Sequence, residues 1–236
     1  MNQIIAEFIG SALLIIFGNG VVANVVLNKS KGQNSGWIVI TFGWAMAVFI
    51  AVYCVGQYSG AHLNPAVSLA LAIAGKMQWS ALPAFWAAQL VGSWAGAVVV
   101  WLIYQDHFRQ TKGAEEIQAC FCTKPAILNY GQNFITEAIS TAIFILGVMF
   151  LTKSNVGLGS LDALPVALLV LGIGLSLGGP TGYAINPARD LGPRIAHAIL
   201  PISSKGDNGW QYAWVPVAGP LAGAAAGSFL YQLVVQ

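Results

Sequence analysis

Apolar residues run along this chain in stretches long enough to cross a bilayer, which takes roughly 20 residues of helix. Six spans read out near residues 4–27, 37–57, 82–104, 132–152, 163–178 and 212–235. Several contain a polar residue, but a spanning backbone must satisfy its own hydrogen bonds, and helices do so. Two further apolar stretches, about 65–75 and 187–200, are too short to cross. Each begins at the same triplet, Asn64-Pro65-Ala66 in the first case and Asn186-Pro187-Ala188 in the second, 122 residues later. The pattern predicts an all-α membrane protein: six transmembrane helices plus two re-entrant half-helices, in one transmembrane domain.

Composition agrees. The 236 residues are 57% hydrophobic and 8% charged, where a soluble domain carries about 25% charged residues. The first span is expected to stay as a helix, because Met1 to Glu7 holds no Lys or Arg and the apolar region is too long for a cleaved signal core. A net charge of +2 without a block of like charge points away from nucleic acid and from lipid-headgroup recognition. Cys54, Cys120 and Cys122 cannot make a disulfide framework, and Cys120-Phe121-Cys122 is spaced too closely for a structural zinc site. Unpaired thiols, no metal and no cofactor are expected. Charge does not orient the chain. With both termini cytoplasmic, the inner loops would hold Lys76 and Lys153, and the outer loops Lys29, Lys31, Arg109, Lys112, Lys124, Arg194 and Lys205, against the usual bias.

The two halves match beyond the triplet. Glu7 comes early in the first span, and Glu137 comes early in the fourth. Gln89-Leu90-Val91-Gly92 in the third span is answered by Gly219-Pro220-Leu221-Ala222-Gly223 in the sixth. The first repeat covers about 1–104, a connecting loop about 105–131, and the second repeat about 132–236. With an odd number of spans per half, the second copy enters the membrane from the opposite side. That makes an inverted repeat, and its two short helices meet near the midplane with facing N-termini.

Asn and Pro each have a physical reason to start such a helix. Asn is a strong N-cap, since its side-chain oxygen accepts from N–H groups that the first turn leaves unpaired. Pro suits the first helical position, where its missing N–H costs nothing. The Asn amide is then left to donate into the space between the half-helices. One Asn-Pro start is common in soluble proteins; two, symmetrically placed in an apolar chain, are not explained that way. The loops before them, Gly56-Gln57-Tyr58-Ser59-Gly60-Ala61-His62-Leu63 and Gly178-Gly179-Pro180-Thr181-Gly182-Tyr183-Ala184-Ile185, must cross without regular structure. That is tolerable only where they are buried or line a wet cavity.

Ser59-Gly60-Ala61-His62-Leu63-Asn64-Pro65-Ala66-Val67 and Asn186-Pro187-Ala188-Arg189-Asp190-Leu191-Gly192-Pro193-Arg194 both resemble the signatures of the aquaporin family, in its glycerol-facilitator branch. The resemblance covers nearly the whole chain. It implies a passive channel, not an enzyme, in the plasma membrane, with both termini cytoplasmic and four copies in a homotetramer. It also implies a constriction of aromatic residues and an arginine on the outer side. By spacing from the triplets these are Arg189, Tyr183, Trp44 and Gly174. Water-selective members resemble one another in a histidine at the last place, and the glycine here is expected to widen the opening. Asp190 resembles the acid that follows the arginine in the glycerol branch and braces the loop. Tyr183 is a departure, because glycerol facilitators carry Phe there; the added hydroxyl is expected to narrow the opening or favour a more polar solute.

The resemblance implies glycerol as the main permeant, with water passing too. Urea, dihydroxyacetone and undissociated lactic acid are further candidates, and a water-selective pore is the alternative. Two half-helix N-termini carry roughly +0.5 charge each, and with Arg189 they would repel cations and hydronium. Glu7 and Glu137, as intramembrane acids, are proton-carrier candidates by default, but by resemblance they brace the loops; Gly60, Ala61, His62, Gly182 and Ala184 are expected to line the pore or support those loops. His62 is expected to pack and hydrogen-bond within its loop. A secondary active transporter would also use an inverted repeat, yet the spans offer few acids for a coupling ion. No activated nucleophile stands at a recognisable spacing for an intramembrane enzyme.

Overall fold

A computed structural model describes residues 1–151 and 161–235. Among the described residues the chain forms ten α-helices. Five are long and apolar enough to span: α1 (Gln3–Val26), α2 (Trp37–Ser59), α4 (Leu82–Ile103, entered through a 3-10 turn at Trp79–Ala81), α7 (Tyr130–Leu151) and α10 (Val215–Val235). The sixth, α8 (Leu164–Leu177), is 14 residues long. The expected spans fall on these helices within a few residues, and position 152 lies outside the described residues. Two short helices follow the Asn-Pro-Ala triplets: α3 (Pro65–Ile73) and α9 (Pro187–Ile199). The segment expected to be a plain connecting loop holds two more, α5 (Gln105–Gln110) and α6 (Ala114–Ala119).

The packing repeats between halves. Helix α1 lies on α4 as α7 lies on α10, and each half-helix rests against the third long helix of the other half, α9 on α4 and α3 on α10. Close approach depends on glycine at equivalent places. A Cβ on Gly92 would sit 2.3 Å from the Phe8 carbonyl oxygen, and one on Gly223 would sit 2.2 Å from that of Ala138. No real Cβ tolerates such a contact, so small residues let these backbones touch within one chain. The glycines singled out in the sequence therefore serve packing inside one chain.

The 105–131 segment folds inward. Phe121 is fully buried, packed between Phe108 and His197, and its carbonyl accepts from Asn19 Nδ2 at 3.3 Å. Cys120 and Cys122 are buried free thiols. Burial pushes the Cys120 thiol well above its usual range, so it stays protonated and unreactive. On the surface, Lys124 meets Glu115 at 2.5 Å and holds its carboxyl below the ordinary value.

One charge assignment changes. Arg194, counted among outer-loop cations, is a residue of α9 with a fully buried side chain. Its position was visible in the sequence, within the short apolar stretch 187–200, but its charge suggested a loop. The buried partner that permits it is Asp190, at 2.7 Å.

Candidate functional site

The two N-caps form as their chemistry predicts. Asn64 Oδ1 accepts from Ala66 N at 2.8 Å, and Asn186 Oδ1 accepts from Ala188 N at 3.0 Å and Arg189 N at 3.2 Å. Pro65 and Pro187 occupy the first turns, and Ala66 and Ala188 follow, both buried. The amide nitrogens are not wholly free, which corrects the expectation. Asn64 Nδ2 donates to the Ile185 carbonyl at 2.9 Å, and Asn186 Nδ2 donates to the Leu63 carbonyl at 2.8 Å. Each amide has two N–H groups, so one ties the half-helices together and one remains for the cavity.

The loops are strained in register. Gly60, Ala61 and Leu63 have φ of 81°, 48° and 52°, and their counterparts Gly182, Tyr183 and Ile185 have 79°, 38° and 44°. Left-handed backbone costs a non-glycine residue roughly 1–2 kcal/mol, and for a β-branched residue such as Ile185 it is a true outlier. Buried carboxylates hold it in place. Glu7 accepts from His62 N at 2.9 Å and Leu63 N at 2.7 Å, and also from Ser59 Oγ and Gln89 Nε2. Glu137 accepts from the equivalent groups, Ala184 N at 3.0 Å and Ile185 N at 2.9 Å.

Between the loops runs a cavity of about 240 Å³. Gly60, Ala61, His62, Asn64, Ala184 and Asn186 line it, as do Trp44, Tyr183 and Arg189. The His62 ring packs on Phe85 at 4.9 Å and bonds Ser68 Oγ at 3.0 Å through Nδ1. Asp190 stands behind the cavity, where it accepts from Thr123 N at 2.7 Å, Thr123 Oγ1 at 2.6 Å and Arg194 Nε at 2.8 Å. Gly182 does not line the cavity; a Cβ there would meet Thr123.

Trp44, Tyr183 and Arg189 come together at one end. The Arg189 guanidinium lies over the Trp44 ring, 4.3 Å from its centroid. Among the described residues no hydrogen bond to protein uses it, so its N–H groups are available to the cavity. Gly174 corrects the expectation. A Cβ on it would lie 2.9 Å from Tyr183 Cζ, 3.0 Å from Tyr183 Oη and 3.0 Å from Thr41 Cγ2. The glycine makes room for the tyrosine ring rather than leaving a gap. The hydroxyl is also misjudged from sequence: Tyr183 Oη is buried in the α2/α8 wall and has no hydrogen-bond partner, so it does not project into the opening.

Sequence reasoning missed the wall opposite the loops. Val48 and Val52, Val67 and Leu71, Phe144 and Val148, and Val166 and Val170 line the cavity as four pairs spaced one helical turn apart, on α2, α3, α7 and α8. The i, i+4 signal was present, but helices apolar on every face hide it. Asp162 also lines the cavity, before α8.

Two half-helices whose N-cap asparagines each donate to a loop carbonyl of the other half, beside a cavity and inside a bundle of long apolar helices, define a multi-pass membrane protein of the channel type. The chain belongs to the major intrinsic protein family, whose sequence profile matches residues 1–231. It is 53% identical over 232 residues to a probable glycerol uptake facilitator protein of Thermotoga maritima, covering 98% of this chain and 99% of that one. It is 42% identical over 229 residues to a D/L-lactic acid transporter of Lactiplantibacillus plantarum, covering 95% and 94%. Its fold matches the X-ray structure of the aquaglyceroporin from Plasmodium falciparum with a TM-score of 0.88 and 30% identity, over 99% of this chain and 96% of that chain.

Proposed function

We propose that this protein is a passive channel for glycerol and other small uncharged solutes, that it also passes water, and that it excludes ions and protons. The observation that carries the reading is the cavity end where Arg189 lies over Trp44 and beside Tyr183. A polyol has an apolar carbon edge and a hydroxyl edge. Its carbons slide along the two rings and then along the valine, leucine and phenylalanine wall. Its hydroxyls accept from Arg189 and from the free N–H of Asn64 and Asn186, and donate to the carbonyls of the strained loops. Trp44, Tyr183 and Arg189 form the constriction with Gly174 behind the tyrosine ring, the triplets form the midpoint, and Glu7, Glu137 and Asp190 hold the loops in place.

In this reading one channel domain contains the repeats 1–104 and 132–236. It sits in the plasma membrane with both termini cytoplasmic and assembles as a homotetramer, each protomer with its own pore. The named relatives support glycerol as the main solute, and the lactic acid transporter supports undissociated lactic acid as a second.

Stopped-flow light scattering on proteoliposomes tests the assignment against water, glycerol, urea and lactic acid at two pH values. Glycerol flux well above that of empty liposomes, unchanged when sodium and pH gradients are collapsed, is the expected result. Fast water flux with glycerol at the empty-liposome level would favour a water-selective pore, and gradient-driven accumulation would favour an active transporter. Lactic acid flux should rise as pH falls, because only the undissociated form crosses. Tyr183→Phe should leave glycerol permeability within about twofold of wild type, since the hydroxyl it removes faces a wall and not the solute; a large change would place that hydroxyl in the path.

A further inference from the structure

The two half-helices are finished differently at their far ends. Lys205 Nζ donates to carbonyls in the last turn of α9, those of His197 at 2.8 Å and Ala198 at 2.8 Å, and to that of the C-cap residue Leu200 at 2.9 Å. Two of the three ammonium hydrogens are thereby used on carbonyls that the helix leaves unpaired, and the third on the Leu200 carbonyl, which also accepts from Ile202 N. The carbonyls of α3 receive neutral donors instead, Ser228 Oγ on Ala70 at 3.0 Å and Gln232 Nε2 on Ile73 at 3.0 Å. Lys76, just beyond α3, turns to the Tyr231 ring, 5.5 Å from its centroid.

A half-helix presents roughly half a positive charge at its N-terminus and half a negative charge at its C-terminus. The negative end of α9 weakens the barrier that its positive end, at Asn186 and Arg189, offers to a cation. We propose that Lys205 is a positioning residue for ion exclusion: by fixing a full positive charge on the C-terminal carbonyls of α9, it leaves the field at the pore midpoint more positive. This rests on the reading of the protein as an ion-excluding channel. The loop that carries Lys205 is itself anchored, because Arg194 Nη1 donates to the carbonyls of Asn208 at 2.9 Å and Gly209 at 3.0 Å, and Asn208 Oδ1 meets His197 Nδ1 at 2.8 Å. The charge is held about 20 Å from Asn186, the length of α9. At that distance, with an effective dielectric constant near 20, one unit charge changes cation occupancy about fourfold.

The experiment measures proton leak with a trapped pH dye under a clamped membrane potential, and glycerol flux on the same proteoliposomes. An Arg189→Val background gives a leak large enough to compare. Adding Lys205→Met should raise that leak about two- to fivefold and keep glycerol flux close to the background value, and adding Lys205→Arg should leave both unchanged. An unchanged leak with Lys205→Met, or a fall in glycerol flux that Lys205→Arg shares, overturns the proposal, the second because it reports a structural role. Wild-type vesicles without glycerol flux would instead reject the channel reading, while the leak ratio between the variants could still be read.

Discussion

Asp190→Ala is expected to destabilise the folded protein by about 3–5 kcal/mol, the cost of leaving one partner of a buried ion pair uncompensated. Neither side chain of the Asp190 and Arg194 pair is exposed. Arg194 is saturated by its surroundings: Nε and Nη2 meet Asp190, Nη2 also donates to the Thr123 carbonyl at 3.1 Å, and Nη1 donates to the carbonyls of Asn208 and Gly209. Removing the carboxylate leaves that buried guanidinium without its counter-charge and takes away the acceptor of both Thr123 N and Thr123 Oγ1. At Thr123 the connecting segment then keeps one hydrogen bond to the half-helix, that from Arg194 Nη2, in place of three. The unfolding temperature of detergent-solubilised protein should fall by several degrees or more. Adding Arg194→Met should recover part of the loss, because a buried pair replaced by apolar residues is often neutral. An unchanged unfolding temperature for Asp190→Ala would show that the pair contributes nothing to holding this end of α9.

What the sequence could show depended on whether a residue acts through its own chemistry or through a neighbour. Asn64 and Asn186 were legible because N-capping is local: the oxygen reaches N–H groups two and three residues on. Their cross-bonds to Ile185 and Leu63 were not, since those pairs are more than 120 residues apart and appear only when the loops face each other. Glu7 and Glu137 stood out as acids in apolar helices, which are costly unless satisfied. Thr123 gave no signal, being one small polar residue in a long loop, yet it supplies two donors to Asp190. The apolar wall was hidden for a different reason. In a membrane protein the lipid-facing and pore-facing positions are both apolar, so periodicity separates neither.

Gly174→His is expected to lower glycerol permeability at least tenfold, an added barrier of about 1.4 kcal/mol, and to lower water permeability less. The sequence suggested that an imidazole here would simply fill an opening, but the geometry gives a stronger reason. The face of α8 around Gly174 is already occupied by the Tyr183 ring, which a Cβ would meet at 2.9 Å, and a Cβ on Gly178, one turn later, would meet the same ring at 2.4 Å. Trp37 closes a further side, with its ring edge-on to Tyr183 at 5.9 Å and its indole N–H on the Gly174 carbonyl at 3.1 Å. Thr41 blocks the approach along α2. A side chain at 174 must therefore push the tyrosine toward the one space it already borders, the cavity between Trp44 and Arg189. Forcing atoms into such a packed site typically costs 1–3 kcal/mol, so the variant should also be less stable. Light scattering with both solutes on the same vesicles separates the effects: narrowing slows the three-carbon polyol more than water, whereas misfolding slows both in proportion to lost channels. Adding Tyr183→Ala removes the displaced ring and should return glycerol flux toward wild type. Equal losses for water and glycerol, with no recovery in the double variant, would mean that Gly174 and Tyr183 do not border the narrowest part of the path.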